Sequence, residues 1–343
     1  MMQTHAFDWA AFENLDHLRR LQGASFDALG FGPVESHGES VFNEPGVSLK
    51  RYRARPNARP PLLLVPAPIK RAYIFDLSPE VNVVQRCVAG GERVFLLEWQ
   101  PAGPDFGLAE FGDRLILACL EAAGGEPPIL VAHSLGGLLA AIFAALHPER
   151  IRGLVLIATP LHFGPDAGIF GRTVADVDLA RLPESVPGSF ISTMSFRASP
   201  EAFGWERWLD LVQSFPDSGM LRNYLRVERW TLDEFPMPRR LFADIVHLLV
   251  HEDRFVRGSL AIGGKAAAPS RITVPLLCVV DPDCSIVPRP AVQPFLDAAG
   301  SEDKSVLEYQ REAGVCLQHV GPLVGKRAHA RLWPEILRWI ETR

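Results

Sequence analysis

The sequence predicts an α/β protein: a doubly wound, mostly parallel sheet with an inserted helical cap. Short apolar runs bounded by proline and glycine alternate with segments whose apolar residues recur at helical spacing. Such runs are typical of strands buried on both faces, and a parallel sheet needs helices as crossovers. Between residues 166 and 270 helical stretches rich in tryptophan, phenylalanine, arginine and methionine replace the strand runs, which indicates a cap.

In chain order, a helical pattern over 10–21 and a polar strand over 47–52 come before the main sheet. The predicted sheet strands are PPLLLVPAP, RVFLLEW, PPILVAHS, IRGLVLIATP, VPLLCVVD and SVLEYQ. The predicted helices outside the cap are 79–89, 108–123, 135–147, AVQPFLDAAG and AHARLWPEILRWIETR. We therefore divide the chain into an N-terminal extension (1–60), a first core part (61–165), the cap (166–270) and a second core part (271–343).

Composition and charge exclude several classes of function. The 343 residues are 48% hydrophobic, and 35 basic against 40 acidic residues give a net charge of -5. No run of lysine or arginine could follow a phosphate backbone, so we expect no nucleic-acid partner. No apolar run approaches the roughly 18 residues that span a bilayer, and the first residues lack the pattern of a secretory signal. We therefore expect no integral membrane segment.

The cysteines predict a reducing compartment. They are scattered, odd in number and form no CxxC pair: Cys87, Cys119, Cys278, Cys284 and Cys316. Such a pattern is typical of free thiols rather than of a disulfide framework or a zinc site. We therefore expect a cytoplasmic protein without a metal or another cofactor.

The most specific local feature is ILVAHSLGGLL, where an apolar strand ends at His133 and a helix begins directly after Ser134. This is the form of a nucleophile elbow, a strained turn that presents a serine. The turn needs small residues two positions before and after the serine, and Ala132 and Gly136 provide them. The positive end of the following helix favours developing negative charge. We predict that Ser134 is a nucleophile; the alternative is a serine that only caps the helix.

A serine hydroxyl needs an adjacent base, and His319 is the candidate. It lies in GVCLQHVGPLVG, after the last predicted strand and before the final helix. The order serine, acid, histidine is that of the α/β-hydrolase fold. His133 adjoins the serine but should point elsewhere on the elbow. The histidines in or beside the cap are interpreted as rim or hydrogen-bonded residues: His162, His247 and His251.

An acid that orients the imidazole is expected in the loop DPDCSIVP after the strand VPLLCVV. Asp283, further out along the loop, is the first choice. Asp281 at the strand end is the alternative acid, or else a turn residue that accepts bonds from loop N–H groups.

Oxyanion stabilisation is expected from the N–H after the nucleophile, that of Leu135, and from a donor in the loop after the first central strand. That loop reads PAPI and contains Pro68, which has no N–H to donate. We therefore predict Ile69 as the second donor.

Together these motifs resemble the polyhydroxyalkanoate synthase branch of the α/β-hydrolase superfamily. The resemblance covers about residues 32–343 and includes VPAPIKRAYIFDL, HSLGG, VERWTLDEFPMPRRLF and QHVGPLVG. It implies a cysteine nucleophile, an aspartate and a histidine that polymerise hydroxyacyl-CoA. In this sequence Ser134 stands at the nucleophile position and His319 matches the histidine. Cys284 stands where the aspartate would fall, with Asp283 one residue earlier.

Serine in place of cysteine changes the expected chemistry. Acyl transfer from an oxygen ester to Ser134 is roughly isoenergetic, and water could then release the acid with His319 as base. We therefore expect a carboxylic ester hydrolase acting on hydroxyalkanoate or other acyl esters. One alternative is an acyltransferase that uses hydroxyacyl-CoA. The other is a non-catalytic relative that binds acyl chains or the surface of polyester granules.

The cap contains aromatic residues with two possible roles. Phe203, Trp205 and Trp208 either line an acyl pocket at the substrate entrance or fill a core. Trp230 and Asp233 are interpreted as structural.

Overall fold

An eight-stranded sheet runs through the computed structural model, which describes residues 7–52, 59–175 and 177–343. Residues 1–6 and 53–58 of the predicted N-terminal extension, and Asp176 of the cap, lie outside the described residues. The strands of the described residues are β1 (Glu39–Glu44), β2 (Val47–Tyr52), β3 (Arg59–Val65), β4 (Asp76–Ser78), β5 (Val81–Asn82), β6 (Glu92–Trp99), β7 (Ile129–His133), β8 (Gly153–Ile157), β9 (Ser185–Val186), β10 (Met237–Pro238), β11 (Leu260–Ile262), β12 (Lys265–Ala267), β13 (Leu276–Val280) and β14 (Lys304–Glu308).

The strand order in the large sheet is β1-β2-β6-β3-β7-β8-β13-β14. The pairs β1–β2 and β2–β6 are antiparallel, and all neighbours from β6 through β3 and β7 to β14 are parallel. Each of the six predicted sheet runs overlaps one of these strands. The chain builds outward from β3 on both sides, so the predicted doubly wound, mostly parallel fold is confirmed.

Helices cover both faces of the sheet. In chain order they are α1 (Trp9–Ala28), α2 (Val83–Ala89), α3 (Leu115–Ala123), α4 (Leu135–Leu146), α5 (Phe170–Thr173), α6 (Gly188–Ala198), α7 (Glu206–Ser214), α8 (Ser218–Thr231), α9 (Arg239–Asp244), α10 (Gln293–Ala298), α11 (Gly321–Val324) and α12 (Trp333–Glu341). Turns of π-helix precede α3, α7 and α12 and follow α9, at Glu110–Arg114, Glu201–Trp205, Ala328–Leu332 and Ile245–His251.

Alternate residues of the central strands point into two separate cores. Leu63 and Val65 of β3 pack with α3, α4 and apolar residues of the cap. Leu62 and Leu64 pack on the other side with α2 and α12. Because both faces are covered, the strands appear in the sequence as continuous apolar runs rather than as alternating ones. Helix α4 is buried along its whole length, and its N-terminus lies at the middle of the sheet edge because α4 follows the central strand β7.

Two local predictions need correction. The predicted helix over 79–89 begins later, at Val83, because residues 81–82 form β5 and the Asn82 side chain caps α2 by accepting from the Gln85 N–H at 2.8 Å. The predicted helix over 10–21 is part of a longer one, α1, whose N-cap is Asp8. A side-chain cap fixes the residue at which a helix begins. The spacing of apolar residues alone does not show which residue that is.

The cap contains short strands that the sequence did not predict. Strands β9 and β10 pair with each other, as do β11 and β12. They are two or three residues long, too short to show a two-residue alternation. Gly263 and Gly264, with φ of +55° and +79°, form the tight turn between β11 and β12. Helix α1 packs on α6 and α8 of the cap. The boundaries that divide the chain into extension, core and cap stay a prediction.

The five cysteines are all unpaired and buried. Among the described residues, every helix is too short or too polar to cross a bilayer.

Candidate active site

The turn between β7 and α4 is strained at Ser134. This residue has φ +54° and ψ -131°, a backbone region that residues with a side chain rarely adopt. Its N–H donates to the Ile157 carbonyl at 3.0 Å, and its carbonyl accepts from the Gly137 N–H at 2.9 Å. The neighbouring strand and the helix therefore hold the serine in a conformation that it would not adopt alone.

The glycines after the serine allow close approach of the backbone. A Cβ at Gly136 would lie 2.3 Å from the Pro66 carbonyl oxygen, at the end of β3. A Cβ at Gly137 would lie 2.0 Å from Thr159 Oγ1, in the loop after β8. Both positions need glycine because the elbow is pressed between the ends of its two neighbouring strands.

We expect Gly136→Ala to destabilise the fold by about 1–3 kcal/mol or more, because the clash is with backbone atoms that cannot turn away. Urea unfolding measures the change. Gly171→Ala is the matched control, since a Cβ there meets no heavy atom within 4 Å. Equal stability of the two variants would contradict this account of the elbow.

His319 lies against the serine. Its Nε2 is 2.9 Å from Ser134 Oγ, at a distance where the hydroxyl donates to the ring nitrogen. The ring lies on the 3₁₀ turn Gln318–Val320, directly before α11, and both side chains are buried. The structure thus brings together the two residues that the sequence predicts as nucleophile and base.

His133 has a part in the site that sequence interpretation missed. Its side chain borders the same cavity as Ser134, and its Nε2–H donates to the His319 carbonyl at 3.0 Å. The two imidazole rings lie 5.0 Å apart, centroid to centroid. The residue beside the nucleophile therefore holds the backbone of the residue that carries the base.

Neither predicted acid is bonded to His319. Its Nδ1 is buried and has no hydrogen-bond partner among the described residues. The Asp283 side chain is exposed. The Asp281 carboxylate is bonded to other groups: its Oδ2 accepts from Arg311 Nε at 2.9 Å, and its Oδ1 accepts from the Asp283 N–H at 3.0 Å. Asp281 thus has the alternative role of a turn residue. The described residues show a serine–histidine pair, with no carboxylate completing a triad.

Cys284 does not replace the missing acid. Its side chain is buried, and its sulfur accepts from the Val287 N–H at 3.4 Å. Burial raises the pKa of this thiol to about 11, so it is uncharged at neutral pH.

A cavity of about 380 Å³ opens beside Ser134 and His319. Its wall is mostly apolar and aromatic, contributed by the cap and by the loops at the sheet edge. Among its residues are Ile69, Leu135, Phe190, Phe203, Met237 and Phe242. Its size and apolar lining suit a small acyl chain with the reacting carbonyl at the serine.

Of the three cap aromatics, one takes a predicted role and two take neither. Phe203 lines the cavity. Trp205 and Trp208 do neither: they stack on each other with centroids 5.1 Å apart, and 57% and 52% of their surfaces stay exposed. Trp230 borders the cavity and donates through Nε1 to the Arg71 carbonyl. Asp233 accepts from the Tyr73 hydroxyl, which fits its interpretation as structural.

A family model described as alpha/beta hydrolase fold matches residues 12–188, just over half of the 343-residue chain. The chain belongs to the α/β-hydrolase fold family.

Relatives of this α/β hydrolase include two poly(3-hydroxyalkanoate) polymerase subunits PhaC. The subunit of Allochromatium vinosum is 25% identical over 348 residues, which cover 96% of each chain. That of Haloferax mediterranei is 26% identical over 319 residues, 89% of this chain and 64% of its own. The predicted resemblance to polyhydroxyalkanoate synthases is confirmed.

Solved structures of similar fold include lipases and esterases. The monoacylglycerol lipase of Paleococcus ferrophilus has a TM-score of 0.55 at 18% identity, with 85% of this chain and 97% of that one covered. The carboxylesterase CesB of Bacillus subtilis has a TM-score of 0.54 at 15% identity, covering 95% and 98%. At these identities the likeness shows the fold alone.

The N-terminus of α4 supplies N–H groups beside the α/β-hydrolase serine. Gly137 and Leu138 donate to the Ser134 carbonyl, which leaves the N–H groups of Leu135 and Gly136 without a partner inside the helix. Leu135 and Ile69 both border the cavity. The part of these two as oxyanion donors stays a prediction.

The loop that carries Ile69 is anchored to the cap by charge. Lys70 Nζ lies 2.7 Å from Glu234 Oε2 and donates to the Thr231 carbonyl at 2.5 Å. Arg19 of α1 reaches the other oxygen of the same carboxylate at 2.7 Å. The buried Glu234 therefore fixes the loop against the cap.

Among the described residues of the α/β hydrolase, no group of three histidine, cysteine, aspartate or glutamate side chains is arranged to hold a metal ion.

With Asp283 exposed, we expect Asp283→Asn to change kcat on an aryl ester less than about 3-fold. Loss of a triad acid would cost about 10⁴-fold. Asp281→Asn is the paired variant, and it should lower stability by about 1–3 kcal/mol because Arg311 loses its buried carboxylate partner and keeps only Glu206 and the Asp283 carbonyl as acceptors. A kcat loss above about 10²-fold in Asp283→Asn would return the acid role to that residue.

Buried histidines make the stability of this α/β hydrolase depend on pH. Burial lowers the pKa of His133 and of His329 to about 4, and that of His319 well below its ordinary value. All three titrate near 6.5 when unfolded, so below this pH the unfolded chain binds more protons.

Stability is therefore complete above about pH 6.5 and is lost as the pH falls toward the folded pKa values. Each histidine contributes up to about 1.4 kcal/mol per pH unit. Urea unfolding at pH 7.5, 6.5 and 5.5 measures the slope, which His329→Gln should reduce by about a third. A free energy of unfolding that does not change between pH 7 and 5 would contradict the assignment of neutral buried histidines.

Proposed function

We propose that this protein cleaves carboxylic esters, hydroxyalkanoate or other acyl esters, through an acyl-Ser134 intermediate with His319 as general base. The observation that carries the proposal is the 2.9 Å contact between Ser134 Oγ and His319 Nε2 in the wall of an apolar cavity. A strained elbow serine within reach of an imidazole is the arrangement that activates a hydroxyl.

The steps follow from the positions of the atoms. Ser134 Oγ attacks the ester carbonyl carbon while its proton moves to His319 Nε2. The resulting oxyanion is stabilised by N–H groups at the α4 N-terminus and in the loop of Ile69. The imidazolium then returns the proton to the leaving alkoxide, and the acyl–serine ester remains. Water, deprotonated by the same Nε2, attacks that ester, and the acid leaves as Ser134 recovers its proton.

A second candidate is acyl transfer from a thioester such as hydroxyacyl-CoA to an alcohol. Two observations favour it. The polymerase subunit of Allochromatium vinosum aligns over 96% of both chains. In addition, no carboxylate partners His319 Nδ1 in the described residues. An alkoxide leaving group depends on a stabilised imidazolium, whereas a thiolate, whose conjugate acid has a pKa near 8.5, leaves with less help.

Product analysis separates the two candidates. The purified chain is incubated with 4-nitrophenyl butyrate and, separately, with 3-hydroxybutyryl-CoA, and free acid, free CoA and ester oligomers are quantified by mass spectrometry. Hydrolysis requires one free acid for each leaving group released. Transfer requires CoA release in excess of free acid, with the difference found in oligomers.

Ser25→Ala on α1 is the control, since this serine lies outside the cavity and donates only to the Leu21 carbonyl. It should keep the parent rates. No turnover of either substrate by folded parent would contradict both enzymatic candidates and leave the third hypothesis, a non-catalytic relative that binds acyl chains or polyester granules.

The free, buried cysteines support a location in a reducing compartment, and the cytoplasm stays a prediction.

A further inference from the structure

A carboxylate of the cap binds the loop that leads to His319. Asp210 lies on α7 with only 4% of its surface exposed. One oxygen accepts from the Gly314 N–H at 2.6 Å, and the other accepts from those of Val315 at 3.0 Å and Cys316 at 2.5 Å. Three successive N–H groups thus converge on one carboxylate, as in the anion-binding concavities that backbone turns form.

The turn depends on that carboxylate. Gly314 has φ +85° and Cys316 has φ +62°. Glycine adopts this region freely, but a residue with a Cβ is strained there and keeps such a conformation only when its surroundings hold it. In this turn the N–H groups donate charge-assisted hydrogen bonds to the Asp210 carboxylate, which hold the backbone in the strained conformation.

A second cap helix holds the carbonyl side. Asn223 of α8 donates through Nδ2 to the Gly314 carbonyl at 2.6 Å and to the Val324 carbonyl at 3.1 Å. These two acceptors bracket the segment 314–324, which contains His319. The base therefore lies on a loop whose ends are both fastened to the cap.

The turn connects directly to the base. The Leu317 N–H donates to the Val315 carbonyl at 2.7 Å, and the Val320 N–H donates to the Leu317 carbonyl at 3.0 Å. A change at Val315 or Cys316 is thereby passed to the 3₁₀ turn that carries His319. On its other side the His319 carbonyl is fixed by His133.

We propose that Asp210 is a positioning residue for the reaction: by fixing the turn at residues 314–316 it sets the distance between His319 Nε2 and Ser134 Oγ. The inference rests on the proposed function, in which His319 is the base. In this proposal the cap has two roles: it lines the cavity, and through Asp210 it positions the base. A displacement of about 1 Å in a reacting group can cost about 10²-fold in rate.

The test compares Asp210→Asn with the parent in two measurements. We expect kcat for 4-nitrophenyl butyrate to fall about 10²-fold with KM unchanged, because the substituted amide places N–H groups against N–H donors. Hydrogen exchange of the peptide 312–322, followed by mass spectrometry, should lose protection. Asp178→Asn is the matched control: this cap aspartate accepts from the Ala180 N–H at 3.0 Å on the exposed surface and lies outside the cavity wall.

A second variant guards against simple misfolding. Adding Cys316→Gly to Asp210→Asn removes the strain of the positive φ, so part of the lost kcat should return. A merely structural Asp210 would lower the fraction of protein that a fluorophosphonate can label, while leaving kcat per labelled site unchanged, and that result would overturn the proposal. Unchanged kcat and exchange in a folded Asp210→Asn would do the same.

The exchange measurement separates this inference from the proposed function. If the parent turns over no ester but Asp210→Asn still loses protection in 312–322, the proposed function has failed while the fastening of the loop stands. If the parent is active and the variant matches it in both measurements, the role of Asp210 has failed and the proposed function stands.

Discussion

Ser134→Ala is expected to lower ester turnover by at least about 10³-fold, because no acyl-enzyme can form without Oγ. What remains is slow attack by water at a carbonyl bound near the N-terminus of α4. The rate of 4-nitrophenolate release, measured at saturating ester, gives the loss directly. Because the site is a unit, His319→Gln in the Ser134→Ala background should add little further loss.

Ser134→Gly guards against loss of fold in this experiment. Glycine adopts φ +54° without strain, so this variant should lose turnover as Ser134→Ala does and yet unfold at a higher urea concentration than the parent. If either variant kept more than about a tenth of the parental rate, another group would have to be the nucleophile.

His319→Gln is expected to lower kcat by about 10³-fold or more, with KM nearly unchanged, because the glutamine amide cannot take the serine proton. The matched control is His329→Gln. His329 is also buried and neutral, but its Nε2–H donates to the Leu323 carbonyl at 2.8 Å, outside the cavity wall. Equal kcat losses in the two variants would show a general effect of removing a buried histidine.

The parent should also show an unusual pH dependence of kcat/KM. A general base works only when unprotonated, and burial holds the pKa of His319 well below its ordinary value. The rate should therefore remain level as the pH falls through 6.5 and decline only well below it. An acid limb centred at or above pH 6.5 would contradict a neutral, buried base.

The elbow could be predicted from sequence because its requirements are local. The buried strand, the strained serine and the close-packed glycine all lie between Ile129 and Gly136. His319 could be predicted because the order of the chain places it after β14, the last strand of the sheet, at the same sheet edge. The strand runs were recognisable for a similar reason, since burial on both faces leaves few polar positions.

Contacts between residues distant in sequence could not be predicted in the same way. The loop after β13 offers Asp281 and Asp283 as acids, and neither is bonded to His319: Asp281 is held by Arg311, which lies 30 residues further along the chain, and Asp283 is exposed. The contact of His133 with the His319 backbone spans 186 residues, and that of Asp210 with Gly314 spans 104. Trp205 and Trp208 lie at helical spacing, but nothing in the spacing tells that this face of the cap is left uncovered.

The most direct test of an assembled serine–histidine site is the intact mass of the protein after exposure to a fluorophosphonate, for the parent and for Ser134→Ala. A serine reacts rapidly with this probe only when a base activates it. We expect one adduct per chain in the parent, none in Ser134→Ala, and much slower labelling in His319→Gln. A well-folded parent that gains no adduct, or an adduct that persists in Ser134→Ala, would contradict an assembled serine–histidine site.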